Sequence, residues 1–220
     1  MQFIFHKDAK NPTLTISGEL YTHIFRSRRT KRQESLILRN LYDLNAYTYK
    51  ISNLSKKEAI LTLQSIESTP LLNPPTAHII WALIEPKVIE KTLPFLNELN
   101  AKKLTFFYAS FSQKNFKLDF ERLARILENS CMQCGRITKM ELEILPNLES
   151  VLQNYPNLAV MDFNSESLKE TLEIPLLIGA EGGFSEKERE ILKNQIKFSA
   201  SNCNILRSET AVIYALSKIV

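Results

Sequence analysis

The chain has 220 residues, 44% of them hydrophobic and 24% charged, with a formal net charge of +4. That composition fits one large or two small globular domains, and no apolar run reaches the ~20 residues needed to cross a bilayer. Three cysteines, a single C-x-x-C at Cys131 and Cys134, and histidines scattered at His6, His23 and His78 argue against a disulfide framework and against a zinc site. The opening Met1 to Lys7 lacks a signal-peptide pattern, so a cytoplasmic protein without membrane or metal partners is expected.

Residues 1–70 read as strands: Phe3 to Phe5, Thr13 to Ile16, Leu36 to Leu38, Ala46 to Ile51 and Glu58 to Leu63 are short, β-rich or alternating, with polar turns between them. This spacing predicts a small β-barrel, with a short helix around Gly18 to Phe25. Eleven Lys/Arg against six Asp/Glu give this third of the chain a balance of +5, while residues 71–220 balance to −1. Arg26, Arg28, Arg29, Lys31 and Arg32 put five cations into seven residues, a pattern that fits phosphate binding as well as a solvated basic loop.

Pro70, Pro74 and Pro75 mark a linker, because three prolines in six residues cannot continue a helix or a central strand. The predicted boundary separates a domain at 1–70 from one at 71–220. Beyond it, the run Ala77 to Leu83 predicts a strand buried on both faces, followed by a helix over 86–99 and a strand over 104–108. A helix through Phe120, Leu123 and Leu127 closes at Gly135. Strands at 158–161 and 175–178, a helix over 187–196, a weak strand at 198–200 and a last helix over 210–219 follow. Strands alternating with helices predict an α/β domain with a parallel sheet. Cys131 and Cys134 close a helix, whereas a redox C-x-x-C opens one.

Three of only five glycines fall in Ile178-Gly179-Ala180-Glu181-Gly182-Gly183. Such clustering calls for positive φ or for close backbone approach. A phosphate P-loop would need Gly-Lys-Ser/Thr, and a dinucleotide loop would need G-x-G-x-x-G at the first βα turn. This loop has neither spacing and comes too late in the chain. Ser185 and Glu188 form a capping box for the helix that follows. Nothing in folding asks for an acid between the glycines, so Glu181 is a functional candidate. Arg207, Ser208 and Glu209 form a second constellation, in which Ser208 could cap the last helix. Gln133-Cys134-Gly135-Arg136 forms a third.

Together these three segments resemble the ribosomal RNA small subunit methyltransferase E family, of the SPOUT class. The family's Ile-Gly-Pro-Glu-Gly-Gly is similar to Ile178 to Gly183 with Ala180 for proline. Its Leu-Arg-Thr-Glu-Thr-Ala is similar to Leu206 to Ala211 with Ser208 for threonine, and its Gln-Cys-Gly-Arg stands intact at 133–136. The resemblance implies a PUA-like β-barrel followed by a deep trefoil-knot methyltransferase domain. It also implies a homodimer and methyl transfer from S-adenosyl-L-methionine to N3 of a uridine in 16S rRNA of the small ribosomal subunit. It implies cofactor contacts from Ile178, Gly179, Glu181, Gly182, Gly183, Asn202, Ile205, Leu206, Ser208 and Thr210. RNA contacts are expected from the cations of 26–32 and from Arg136. For the chemistry, Arg207 suits charge stabilisation. Glu181 or Glu209 suits proton removal, unless Glu209 orients Arg207 and no side chain acts as base. Ser201-Asn202 stands where the family has Leu-Gly, and Ala109-Ser110-Phe111-Ser112 where it has Ser-Glu-Arg-Ser.

Overall fold

The computed structural model describes residues 2–27, 30, 34–167, 173–200 and 204–219, with the side chains of 164–166 left out. The chain divides into two compact units. One holds Met1–Asn73 and Cys131–Lys139, and the other holds Pro74–Ser130 and Met140–Val220.

In the first unit, β1 (Ile4–Phe5), β2 (Thr13–Ser17), β3 (Ser35–Arg39), β4 (Asn45–Leu54) and β5 (Glu58–Ser68) form one sheet in the order β1-β3-β4-β5-β2. Strand β2 alternates between exposed and buried positions, with Leu14 and Ile16 inward, as period-2 patterning requires. The β4–β5 pairing shifts register between Thr48 and Tyr49 and again between Ile51 and Asn53. Bulges of this kind bend a long hairpin. The short helix expected near Gly18 is a single turn, α1 (Gly18–Tyr21), continued by a π-helical turn over Thr22–Ser27 that buries Ile24. The segment 131–139 belongs to this unit, where Cys131 and Met132 pack with Phe3 and Leu41.

Among the described residues, the second unit is built on six strands, all paired in parallel: β6 (His78–Ala82), β7 (Lys103–Phe107), β8 (Glu141–Leu145), β9 (Ala159–Ser167), β10 (Leu176–Ile178) and β11 (Ile196–Ser199). Helices α2 (Pro86–Glu98), α3 (Phe120–Cys134), α4 (Leu148–Asn154), α5 (Glu186–Ile191) and α6 (Ser208–Ile219) connect or follow them. Burial on both faces explains why Ile79 to Leu83 and Leu176 to Ile178 are unbroken apolar runs. Helix α3 stops at Gly135, which takes φ +88 just past the end and donates its amide to the Cys131 carbonyl at 2.9 Å.

Three elements differ from the sequence expectation. The helix expected over 187–196 ends at Ile191, because Ile196 and Lys197 pair with Ala159 and Val160 as the start of β11. Strand β8 and helix α4 had no predicted counterpart.

Candidate functional site

The sheet runs β11-β9-β10-β6-β7-β8. From β6 the chain steps outward to β7 and β8, then re-enters on the other side of β6 with β9, β10 and β11. Open parallel sheets bind ligands beyond the C-terminal strand ends at such a reversal. The glycine loop leaves β10 at that place.

Gly183 donates its amide to the Ala180 carbonyl at 2.9 Å, and the two residues form an isolated antiparallel bridge. Glu181 and Gly182 therefore occupy the exposed corner of a tight turn. Two of the glycines are dictated by this geometry. Gly183 has φ +71, a region that side chains rarely enter. A Cβ on Gly179 would lie 3.0 Å from the carbonyl carbon of Gly183. The exit is fixed by the capping box: the Ser185 hydroxyl accepts from the Glu188 amide, and the Glu188 carboxylate accepts from the Ser185 amide at 2.8 Å. The buried Glu188 also accepts from the Ser110 amide at 2.8 Å, which joins the loop after β7 to the start of α5.

Ser208 opens helix α6 but does not cap it with its side chain. Its hydroxyl donates to the Gly179 carbonyl at 2.7 Å and accepts from the Trp81 indole N–H at 2.8 Å. All three groups are buried. One hydroxyl thus ties the first turn of α6 to the glycine loop and to the central strand β6.

These elements enclose a cavity of about 630 Å³. Met161, Asp162 and Phe163 of β9 line it, with Ile178 to Glu181, Gly183 and Phe184 from the glycine loop. Ser199, Ala200, Asn204, Ile205, Leu206, Ser208 and Ala211 complete the wall. Of the expected cofactor residues, Ile178, Gly179, Glu181, Gly183, Ile205, Leu206 and Ser208 border it, whereas Gly182 and Thr210 do not. Arg207 is exposed and Glu209 half-buried, and neither belongs to the lining. Ser201 and Asn202 lie outside the described residues. Sequence reasoning missed the β9 contribution. The Asp162 side chain is only 6% exposed and pairs with Arg189. Arg189 also donates from Nε to the Phe184 carbonyl at 3.1 Å. Its guanidinium thereby ties β9 to the end of the glycine loop.

In the first unit, Arg26 donates to the Lys56 carbonyl at 3.2 Å. Arg26 lines a second, open cavity with Glu19, His23, Lys56 and Lys57. The β4–β5 turn therefore adds two cations to the basic segment that sequence reading singled out. Arg28, Arg29, Lys31 and Arg32 lie outside the described residues. Arg136 is half-buried and donates from Nε to the Thr138 carbonyl at 2.9 Å; burial lowers its pKa from the ordinary arginine value.

A family model described as an RNA methyltransferase domain matches residues 72–220, which include every element of this cavity. A ribosomal RNA small subunit methyltransferase E of Helicobacter pylori strain J99 is 44% identical over 222 residues, covering 99% of this chain and 98% of that protein. The corresponding protein of H. pylori strain 26695 is 43% identical with the same coverage. The chain belongs to the ribosomal RNA small subunit methyltransferase E family. The fold agrees with that membership. A ribosomal RNA small subunit methyltransferase E of Neisseria gonorrhoeae, solved bound to S-adenosyl methionine, superposes with a TM-score of 0.79 at 20% identity, covering 99% of this chain and 95% of that one. A Legionella pneumophila protein solved with bound SAM reaches 0.83 at 24% identity, covering 99% and 96%. Within the methyltransferase E family, Ala180 stands in this chain as a buried wall residue of the cavity whose carbonyl closes the glycine turn.

Proposed function

We propose that the chain methylates N3 of a uridine in 16S rRNA, with S-adenosyl-L-methionine as methyl donor and the assembled small ribosomal subunit as substrate. The observation that carries this reading is the cavity closed by the Ser208 bridge, where the glycine loop and the segment before α6 meet in a chain of this family. The cavity suits the donor chemically. Ile178, Ile205, Leu206 and Met161 offer apolar surface for a purine ring, and Gly179 and Gly183 border the cavity with backbone alone. Glu181 places a carboxylate on the wall, complementary to a cationic ligand. The donor would supply a methyl group already activated on a positively charged sulfur, so the chemistry calls for no metal.

The chain's own residues then have two tasks. Holding the two reactants in line replaces a bimolecular encounter with a positioned one. The uridine N3–H must also lose its proton as the C–N bond forms, and negative charge grows on the uracil oxygens. Arg207, exposed at the start of α6, supplies a cation for that charge. In this reading Glu181, which borders the cavity, accepts the proton, and Glu209, in the first turn of α6, orients Arg207. In the same reading the first unit is a PUA-like barrel that binds RNA through its basic segment. The second is a trefoil-knot domain, and the enzyme works as a cytoplasmic homodimer.

Calorimetry with S-adenosyl-L-methionine tests the cofactor: saturable binding is expected, and its absence refutes the reading. Mass mapping of 16S rRNA from a strain lacking the gene tests the product, and an unchanged N3-methyluridine level counts against it. Arg207→Ala is expected to abolish turnover while cofactor affinity stays within about tenfold, or ~1.4 kcal/mol. A larger loss of cofactor binding would reassign Arg207 to the cofactor.

A further inference from the structure

Beside the glycine turn stands an aromatic ring that folding does not require. Phe111 is 53% exposed, yet its ring lies against Gly182, so close that a Cβ on that glycine would meet Phe111 Cδ2 at 3.0 Å. The backbone carrying it is held at several points. The Ser112 hydroxyl donates to the Leu83 carbonyl at 2.6 Å and accepts from the Ala109 amide at 3.1 Å, and the Ser112 amide returns to the Ala109 carbonyl at 3.0 Å. The Ser110 amide donates to the Glu188 carboxylate at 2.8 Å, and the Ser110 and Ser185 hydroxyls bond at 3.0 Å. A large apolar side chain is thus kept half in water on a fixed turn, next to the loop that borders the cavity. Exposed Lys114 and Lys117 follow within six residues. An exposed ring followed closely in the chain by exposed cations fits the recognition of an unstacked base and its phosphates.

A base that is to be modified at a ring atom has to leave its stack, and the vacated stacking partner is best replaced by another π face. We propose that Phe111 is the platform on which the target base stacks, with Lys114 and Lys117 pairing with the flanking phosphates. The base then lies across the corner formed by Glu181 and Gly182, at the rim of the cavity. The inference rests on the RNA-modifying reading above and adds the residue that positions the substrate. It also gives Gly182, which lies outside the cavity lining, a reason to lack a side chain: a Cβ there would push the ring away.

The test compares the wild-type chain with Phe111→Ala, Phe111→Leu and Phe111→Trp on small subunits that lack the modification. Two readouts are taken: methyl transfer, and RNA affinity with the cofactor product bound. Phe111→Ala is expected to raise KM for RNA about tenfold or more and to weaken RNA affinity in parallel. Phe111→Trp should restore both, and Phe111→Leu, which keeps apolar area but no π face, should not. Cofactor affinity and the denaturation midpoint should stay unchanged in all three. Equal RNA affinity in wild type and Phe111→Ala overturns the platform, as does full rescue by leucine. A change of oligomeric state on sedimentation overturns it too, since the ring would then belong to a subunit interface. If the wild type transfers no methyl group while Phe111→Ala still loses RNA affinity, the proposed reaction fails and the platform stands.

Discussion

Ser208→Ala is the sharpest probe of how the cavity is closed. The variant removes one oxygen and leaves two buried groups without their partner, the Trp81 N–H and the Gly179 carbonyl. An orphaned buried donor costs about 1–3 kcal/mol, and a carbonyl that loses its donor costs less, so the total is about 3 kcal/mol. Trp81 is the only tryptophan of the chain, which makes indole fluorescence a local reporter of the second unit. With a urea slope of about 2 kcal/mol per molar, the midpoint should fall by about 1.5 M. Ser208→Thr keeps the hydroxyl and should lose far less. In a double-mutant cycle read by circular dichroism, Trp81→Phe should reduce the cost of Ser208→Ala, because one of the two orphaned groups is already gone. A fall in midpoint below about 0.3 M for Ser208→Ala would refute the bridge as a structural tie.

The glycine loop should rank its alanine variants. Gly179→Ala collides with the Gly183 backbone and is expected to weaken cofactor binding most, Gly183→Ala carries strain of ~1 kcal/mol or more at φ +71, and Gly182→Ala displaces only the Phe111 ring. Titration calorimetry of the three checks that order, and a Gly182→Ala variant worse than Gly179→Ala would contradict it. His78 offers a pH test. The Thr105 hydroxyl donates to Glu143, so it must accept from His78 Nε2, which fixes the neutral Nε2–H tautomer. Burial, with the Lys103 and Lys102 charges against the pull of Glu143, pushes the His78 pKa from 6.5 down to about 4. The unfolded chain therefore binds the extra proton first, and stability should fall as pH drops from about 6.5 towards 4. Burial alone would raise the Glu143 pKa, but hydrogen bonds from Tyr155, Thr105 and Lys103 hold it below the ordinary carboxylate value. Its own loss of stability comes at more acid pH. Urea midpoints across that window should flatten in His78→Gln, and an unchanged slope would clear His78 of the effect. In the first unit, replacing Arg26, Lys56 and Lys57 with alanine should weaken RNA binding and reduce its salt slope by about one per phosphate contact. Equal affinity at low salt would remove that surface from the RNA path.

Legibility in the sequence followed how local each cause was. The run Ile79 to Leu83 announces a strand buried on both faces, and Ser185 with Glu188 announces a helix start, because both signals lie within a few residues. Strand β8 was silent. It is the outermost strand, and Glu141-Leu142-Glu143-Ile144-Leu145 is only partly buried, with Ile144 36% exposed. Its pattern thus carries little hydrophobic contrast. The glycine loop could be read as a ligand loop from its composition, and it does border the cavity. The contribution of Met161, Asp162 and Phe163 could not be read, since these residues join the wall only because β9 pairs with β10. The work of Ser208 was hidden for the same reason. A serine before a helix reads as a cap, and only the fold reveals an indole 127 residues away.

That separation sets an order of events during synthesis. The hydroxyl that closes the cavity belongs to Ser208, and its partner on the central strand is made 127 residues earlier. Chains grow from the N-terminus, and early segments can fold before later ones emerge. The first unit's sheet, complete by Ser68, is free to form while the chain is still on the ribosome. The cavity has to wait until Ser208 has left the exit tunnel. A chain grown or cut short of Ser208 would carry the basic surface without the bridge that closes the pocket, so ligand binding certifies that the chain has been made through the start of α6.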